Sequence, residues 1–173
     1  MGNRVRVRQG HVDDTEVVLR LWDQAIEWLV ARGQPQQWGT APASADPGNI
    51  TRVNNWATDG GLRIAELSGQ AVGASVITNT PPGYVSGVEL PETYLQFLIG
   101  DHRYSGLNVG ATLVQTAVAD AKAAGSRLLR VDCWADAPTL VAWYERQGFV
   151  RSDTFRVNVR GTWNGQVFEM RLS

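Results

Sequence analysis

The sequence predicts a mixed α/β fold: a central, mostly antiparallel sheet that contains one parallel β-α-β crossover, with helices on both faces. Three observations carry this. Residues 93–134 read as apolar strand, helix, apolar strand, the arrangement that two parallel strands require. Near the two ends, "VRVRQ" and "FRVNVR" alternate apolar with basic or polar residues, the period of a strand with one wet face. Between these lie segments whose apolar residues recur at helical spacing.

A chain of 173 residues suffices for one compact core, so residues 1–173 are expected to form a single domain. With 43% hydrophobic and 19% charged residues and a net charge of −1, it should be a soluble globular protein with no strong field for polyanions. Nucleic acid is therefore not the expected partner. The one cysteine, Cys133, cannot close an internal disulfide, and no cysteine cluster exists to hold zinc, which fits a reducing cytoplasm. No apolar run approaches the ~20 residues that span a bilayer, and the first ten residues lack the apolar core of a secretory signal. Met1-Gly2 begins like a myristoylation site, but Arg6 stands where Ser or Thr is needed.

The elements follow in order. A strand at Val5 and Val7 gives way to a helix announced by Asp13 and Glu16 as a capping box. Val18, Leu21, Trp22, Ala25 and Leu29 line its face, and Gly33 stops it. Residues 34–49, rich in Pro, Gly and small polar residues, should be irregular and mobile, with a short helix from Ile50 to Thr58. Two strands flank Ser68-Gly69 as a tight hairpin, and residues 80–92 form a second loop. "TYLQFLIG" is the next strand, a helix runs from about Val109 to Gly125, and "RLLRVDCW" is its parallel partner. A helix from Pro138 to Gly148 presents Leu140, Val141 and Tyr144 on one face. The alternation of Phe155, Val157 and Val159 with Arg156, Asn158 and Arg160 then leads to Asn164-Gly165, read as the turn of a terminal hairpin into "QVFEMRL".

The stretch "IGDHRYSGLNVGATLV" holds the chemistry. A helix that starts directly after a strand offers unpaired N–H groups and a positive dipole end, which together suit an anion. Gly106 and Gly110 permit close approach, and Asn108 is the non-glycine type that best tolerates a left-handed turn. No Walker or dinucleotide fingerprint is present. By itself the stretch reads either as a phosphate loop or as a plain strand-to-helix connection.

"SGLNVGATLV" resembles the phosphate loop of the GCN5-related N-acetyltransferase (GNAT) superfamily. Ser105, Asn108 and Gly110 fall at its three defining positions, the first two departing from the usual Arg or Gln and Gly. "LVAWYERQGF" resembles that family's fourth helix and following strand entry, with Ala137 where an asparagine is usual. The resemblance covers nearly the whole chain and implies a GNAT-like fold and an acetyl-CoA-dependent N-acetyltransferase working by direct transfer in a ternary complex. Ser105, Gly106, Leu107, Asn108, Val109, Gly110 and Ala111 would hold the coenzyme pyrophosphate. Leu98, Ile99 and Gly100 would give pantetheine a strand edge.

It further implies Tyr144 as catalytic proton donor to the departing thiolate. By periodicity alone Tyr144 reads instead as an amphipathic core residue at a helix end; the resemblance reverses that reading. The acceptor pocket is expected at Trp38, Tyr84, Gln96 and Trp134. The aromatic three could instead form a dimer interface, and Gln96 could be a plain strand-edge residue. Glu89, Glu92, Asp101 and Asp132 are carboxylates near the sheet centre, none assigned as base. Cys133 lacks a partner set for a covalent acyl-enzyme, and His11 and His102 are too separated for a metal site, so no metal is expected. The acceptor is a small-molecule or peptide amine, and a homodimer is the default for such an enzyme. The alternative is a catalytically degenerate GNAT-fold protein that binds a ligand or partner.

Overall fold

The computed structural model describes residues 4–158 and 161–173; Met1-Gly2 and the alternation expected at Val159 and Arg160 lie outside them. The element order is the expected one: β1 (Arg6–Gln9), α1 (Thr15–Ala31), α2 (Pro47–Thr58), β2 (Leu62–Leu67), β3 (Gln70–Thr78), β4 (Glu92–Gly100), α3 (Val109–Ala123), β5 (Leu128–Trp134), α4 (Pro138–Arg146), β6 (Val150–Asn158) and β7 (Thr162–Arg171). The strands follow the order β1-β2-β3-β4-β5-β7-β6 in a seven-stranded mixed sheet, with β4 and β5 parallel. Two compact units emerge, Met1–Val76 with Phe97–Leu113, and Ile77–Gln96 with Val114–Ser173.

In the first unit, α1 is anchored by Asp14 rather than by the expected Asp13 and Glu16. A short 3-10 turn, Val12–Asp14, precedes the helix and carries the box, with His11 at its cap, so the acid that reaches back is Asp14, two residues before Glu16. The Asp14 carboxylate accepts the His11 backbone N–H at 2.8 Å and a two-pronged donation from Arg8 at 2.8 and 2.9 Å. Arg8 holds this carboxyl below its ordinary pKa and also binds Glu66 across to β2 at 2.7 Å. Val18, Leu21, Trp22, Ile26 and Leu29 form the buried stripe. Gly33, at φ +70, ends the helix by donating to the Val30 carbonyl while Gln34 donates to that of Leu29.

The segment expected to be irregular contains a 3-10 turn at Ala43–Ala45, tied to α1 by Ser44 donating to Asp23 at 2.6 Å. Asp46 caps α2 by accepting the Gly48 N–H, with Pro47 at the first helical position. Ser68 and Gly69 turn the β2–β3 hairpin at φ 50 and 80, both positive as a two-residue turn of this hand requires. Helices cover both faces of this unit. Trp22, Ile26, Val53 and Ala57 pack with Leu62, Ile64, Ala74, Val76 and Phe97, while Val109 and Leu113 of α3 pack with Ala65, Leu67 and Val72. Gly73 lets α3 sit this close: a Cβ there would lie 2.7 Å from Val109 Cγ1 and 2.8 Å from the Ile99 carbonyl oxygen.

In the second unit, the parallel ladder pairs Glu92–Leu95 with Leu128–Val131, and β5 pairs antiparallel with β7 along its whole length. Arg130 and Glu92 form a buried ion pair at 2.7 Å, and the same guanidinium donates to the Ser86 carbonyl and lies over the Tyr94 ring. Asn164-Gly165 is not the terminal turn. Asn164 pairs with Arg156 and Gly165 with Phe155 inside the β6–β7 ladder, and the chain reverses nearer Gly161, at φ +93. Gly165 is there for space: a Cβ would lie 2.1 Å from the Phe155 ring.

Candidate active site

The loop between β4 and α3 is built on Asp101, whose side chain is only 2% exposed. It accepts the Arg103 backbone N–H at 3.0 Å and the Arg103 guanidinium on both oxygens, which holds its pKa down. The 3-10 turn His102–Tyr104 follows, with Ser105 N–H donating to the His102 carbonyl and Leu107 N–H to that of Tyr104. The chain then passes through two left-handed residues, Gly106 at φ 88 and Asn108 at φ 58, and enters α3.

Thr112 N–H makes the first backbone bond of the helix, to the Asn108 carbonyl. The N–H groups of Val109, Gly110 and Ala111 therefore precede the ladder and carry the positive helix end. Ser105, Gly106, Leu107 and Asn108 are all exposed, and no atom lies within 4 Å of where a Gly106 Cβ would be. The loop presents donors to an anion through Gly106, Asn108 and the first turn of α3. The N–H groups of Ser105 and Leu107 are already engaged within the turn. Leu98 is half-buried, Ile99 buried, and Gly100 closes β4 exposed.

In the second unit, Tyr144 is 5% exposed and packs on Phe149 and Phe168 with ring centroids 5.9 and 5.4 Å apart. Burial raises its pKa, so the phenol keeps its proton. Ala137 starts α4 without a side-chain cap. Cys133 is buried and its thiol is pushed up to about 12 by desolvation, which leaves almost no thiolate for an acyl-enzyme.

One pair stands out that sequence reading left unassigned. The Tyr94 hydroxyl donates to Asp132 Oδ2, and Tyr94 is fully buried. Desolvation raises Asp132 to about 6 despite that bond, which by itself would lower it. A carboxylate balanced there can take a proton near neutral pH. Its signal in the sequence was faint: Tyr94 and Asp132 are 38 residues apart and become neighbours only through the parallel register.

Alternation decides which way these groups face. Asp132 pairs with Val167, which packs with Tyr94, whereas Phe168, the neighbour of Tyr144, pairs with Val131. Asp132 and Tyr144 thus lie on opposite faces of β5.

The four expected acceptor residues fall into different settings. Trp38, half-buried, stacks near Phe97 at 6.2 Å in a cluster with Trp22 and Trp56. Tyr84 is 49% exposed and rests on Phe155 at 4.8 Å. Gln96 donates to Thr78 Oγ1 at 3.1 Å, on the same β4 face as Tyr94. Trp134 ends β5 opposite Gly165, half-buried. Among the described residues no group of three His, Cys, Asp or Glu side chains is placed to hold a metal ion, and no helix is long and apolar enough to cross a membrane.

None of the curated proteins compared with the chain matches it. Among solved structures, a GNAT-family acetyltransferase from Listeria monocytogenes superposes with a TM-score of 0.73 at 20% identity, covering 97% of this chain and 95% of the other. A Salmonella typhimurium protein solved with its cofactor acetyl-CoA gives 0.70 at 13% identity, covering 99% and 95%. The polyamine N-acetyltransferase of Drosophila melanogaster, which forms N-acetylagmatine, gives 0.68 at 19% identity, covering 97% and 100%. Residues 22–149 match the model of the acetyltransferase (GNAT) family, and with well over half of its length so matched the chain belongs to that family.

Proposed function

We propose that this family member is an N-acetyltransferase that uses acetyl-CoA to acetylate a primary amine by direct transfer in a ternary complex. The observation that carries the reading is the exposed left-handed loop at the head of α3, whose N–H groups at Gly106, Asn108, Val109, Gly110 and Ala111 suit a pyrophosphate. The fit is through backbone, so Ser105 in place of a longer side chain leaves the donor set intact. Leu98, Ile99 and Gly100 offer the strand edge to pantetheine, and the thioester supplies the acetyl group.

An amine of ordinary pKa arrives protonated and cannot attack a carbonyl. Asp132, raised to about 6 and held by Tyr94, removes that proton on one face of β5. Tyr144, whose buried phenol keeps its proton, donates a hydrogen bond to the sulfur as negative charge develops on the departing thiolate. Trp38, Tyr84, Gln96 and Trp134 contribute the acceptor walls, and the enzyme acts in the cytoplasm as a homodimer.

Calorimetric titration with acetyl-CoA, followed by a screen of amines for thiol release, tests this. Micromolar binding with turnover of at least one amine is expected. Silence at millimolar coenzyme would instead establish a fold retained for another ligand or partner.

A further inference from the structure

A cavity of about 400 Å³ opens in the first unit, lined by Arg20, Gly69, Gln70, Ala71, Arg103 and Tyr104. Each of its polar side chains can donate, and no carboxylate is among the residues that line it. Arg103 is held in place from behind: its Nε lies 3.0 and 3.1 Å from the two Asp101 oxygens and its Nη2 2.6 Å from Oδ2, which leaves Nη1 uncommitted on a side chain that is 58% exposed. The Tyr104 hydroxyl donates to Gln70 Oε1 at 3.3 Å, so that oxygen is occupied and the amide nitrogen is the free end. Arg20, on α1, makes no hydrogen bond or ion pair among the described residues. With the charge of Asp101 matched by Arg103, that of Arg20 is uncompensated.

Two guanidinium groups and an amide nitrogen reach this cavity from three elements: α1, the start of β3 and the turn before α3. A planar carboxylate offers two oxygens in one plane, whereas a phosphate offers three around a tetrahedron, matching donors that come from separate directions. We propose that this cavity binds a phosphate group, distinct from the coenzyme pyrophosphate. Its size, within the range of small-molecule sites, favours a phosphate carried on a small organic body over the bare ion. The site also touches the loop: His102 and Tyr104, which flank and follow Arg103, accept the N–H groups of Ser105 and Leu107. A ligand clamped on Arg103 and Gln70 would steady the entry to the loop. The proposal rests on the donors of this cavity alone and stands whether or not the acetyl transfer does.

The test is a titration of the full, ¹⁵N-labelled chain with glycerol 3-phosphate and, separately, inorganic phosphate at constant ionic strength, following the Gly69 and Ala71 amides and Arg103 Nε. Saturable shifts are expected, weakened on the order of tenfold by Arg20→Gln; that residue is exposed and unbonded, so the fold is unaffected. Tighter binding of the ester assigns the phosphate to a small organic molecule, and equal binding assigns it to the free ion. Shifts that grow without saturating, or that Arg20→Gln leaves unchanged, overturn the proposal. So does displacement of the bound phosphate by saturating coenzyme A, since the anion would then have been reporting the coenzyme's own site.

Discussion

Asp132→Asn is expected to make the protein more stable above pH 6 while slowing its reaction. The carboxyl titrates at about 6 instead of its ordinary 3.8 because burial disfavours the charge. Below pH 4 it is protonated both folded and unfolded, and no cost arises. As pH rises from 4 to 6 the unfolded chain releases this proton while the folded one retains it, so stability falls; above 6 the cost is complete. At roughly 1.4 kcal/mol per pH unit the gap is worth about 3 kcal/mol. Asparagine carries no charge to desolvate and still offers Tyr94 an oxygen. Urea denaturation at a series of pH values should therefore show the variant level with the parent near pH 4 and ahead by about 3 kcal/mol at pH 8. In turnover assays the parent's kcat should rise through pH 6, and the variant's should fall by about 10²–10⁴. A stability difference that does not change with pH, or a variant that turns over normally, would refute the reasoning.

Tyr144→Phe should lower kcat at least tenfold, by order of magnitude, with acetyl-CoA affinity unchanged by calorimetry, because only the proton donor is lost and the ring still packs on Phe149 and Phe168. Gly73→Ala should cost about 1–3 kcal/mol in urea denaturation and weaken coenzyme binding, since the new methyl meets the Ile99 carbonyl oxygen at 2.8 Å and pushes α3 off β3. Asn108→Ala should lower stability by about 1 kcal/mol in thermal melts, whereas Asn108→Gly should lose nothing, because the residue sits at φ 58.

Local chemistry was legible where one short segment decides the outcome. The Ser68-Gly69 hairpin, the stop at Gly33 and the start of α3 at Val109 all follow from residues a few positions apart, and the parallel crossover follows from the succession of apolar strand, helix and apolar strand. Two local readings failed for identifiable reasons. The Asp13–Glu16 box lost to Asp14 because Arg8, from a neighbouring strand, recruits that acid and a 3-10 turn delays the helix. Asn164-Gly165 has the composition of a turn, yet Gly165 is needed under the Phe155 ring, a demand invisible until β6 and β7 are paired. The Tyr94–Asp132 pair was out of reach for the same reason: its meaning comes from register and burial, which single-residue chemistry does not encode. The left-handed turn ahead of α3 was readable because its backbone geometry is dictated by Gly106 and Asn108. The donors surrounding Arg20 and Gln70 were not, since three separated segments supply them.

The grouping of Trp22, Trp38 and Trp56, with indole centroids 6.3 and 6.4 Å apart from Trp22, also has a spectroscopic meaning. Indoles at that spacing share their excited states, so they should produce a paired positive and negative band in far-ultraviolet dichroism and a partly quenched emission. Any molecule that settles against Trp38 would disturb both signals, giving the protein a label-free optical gauge of its own occupancy.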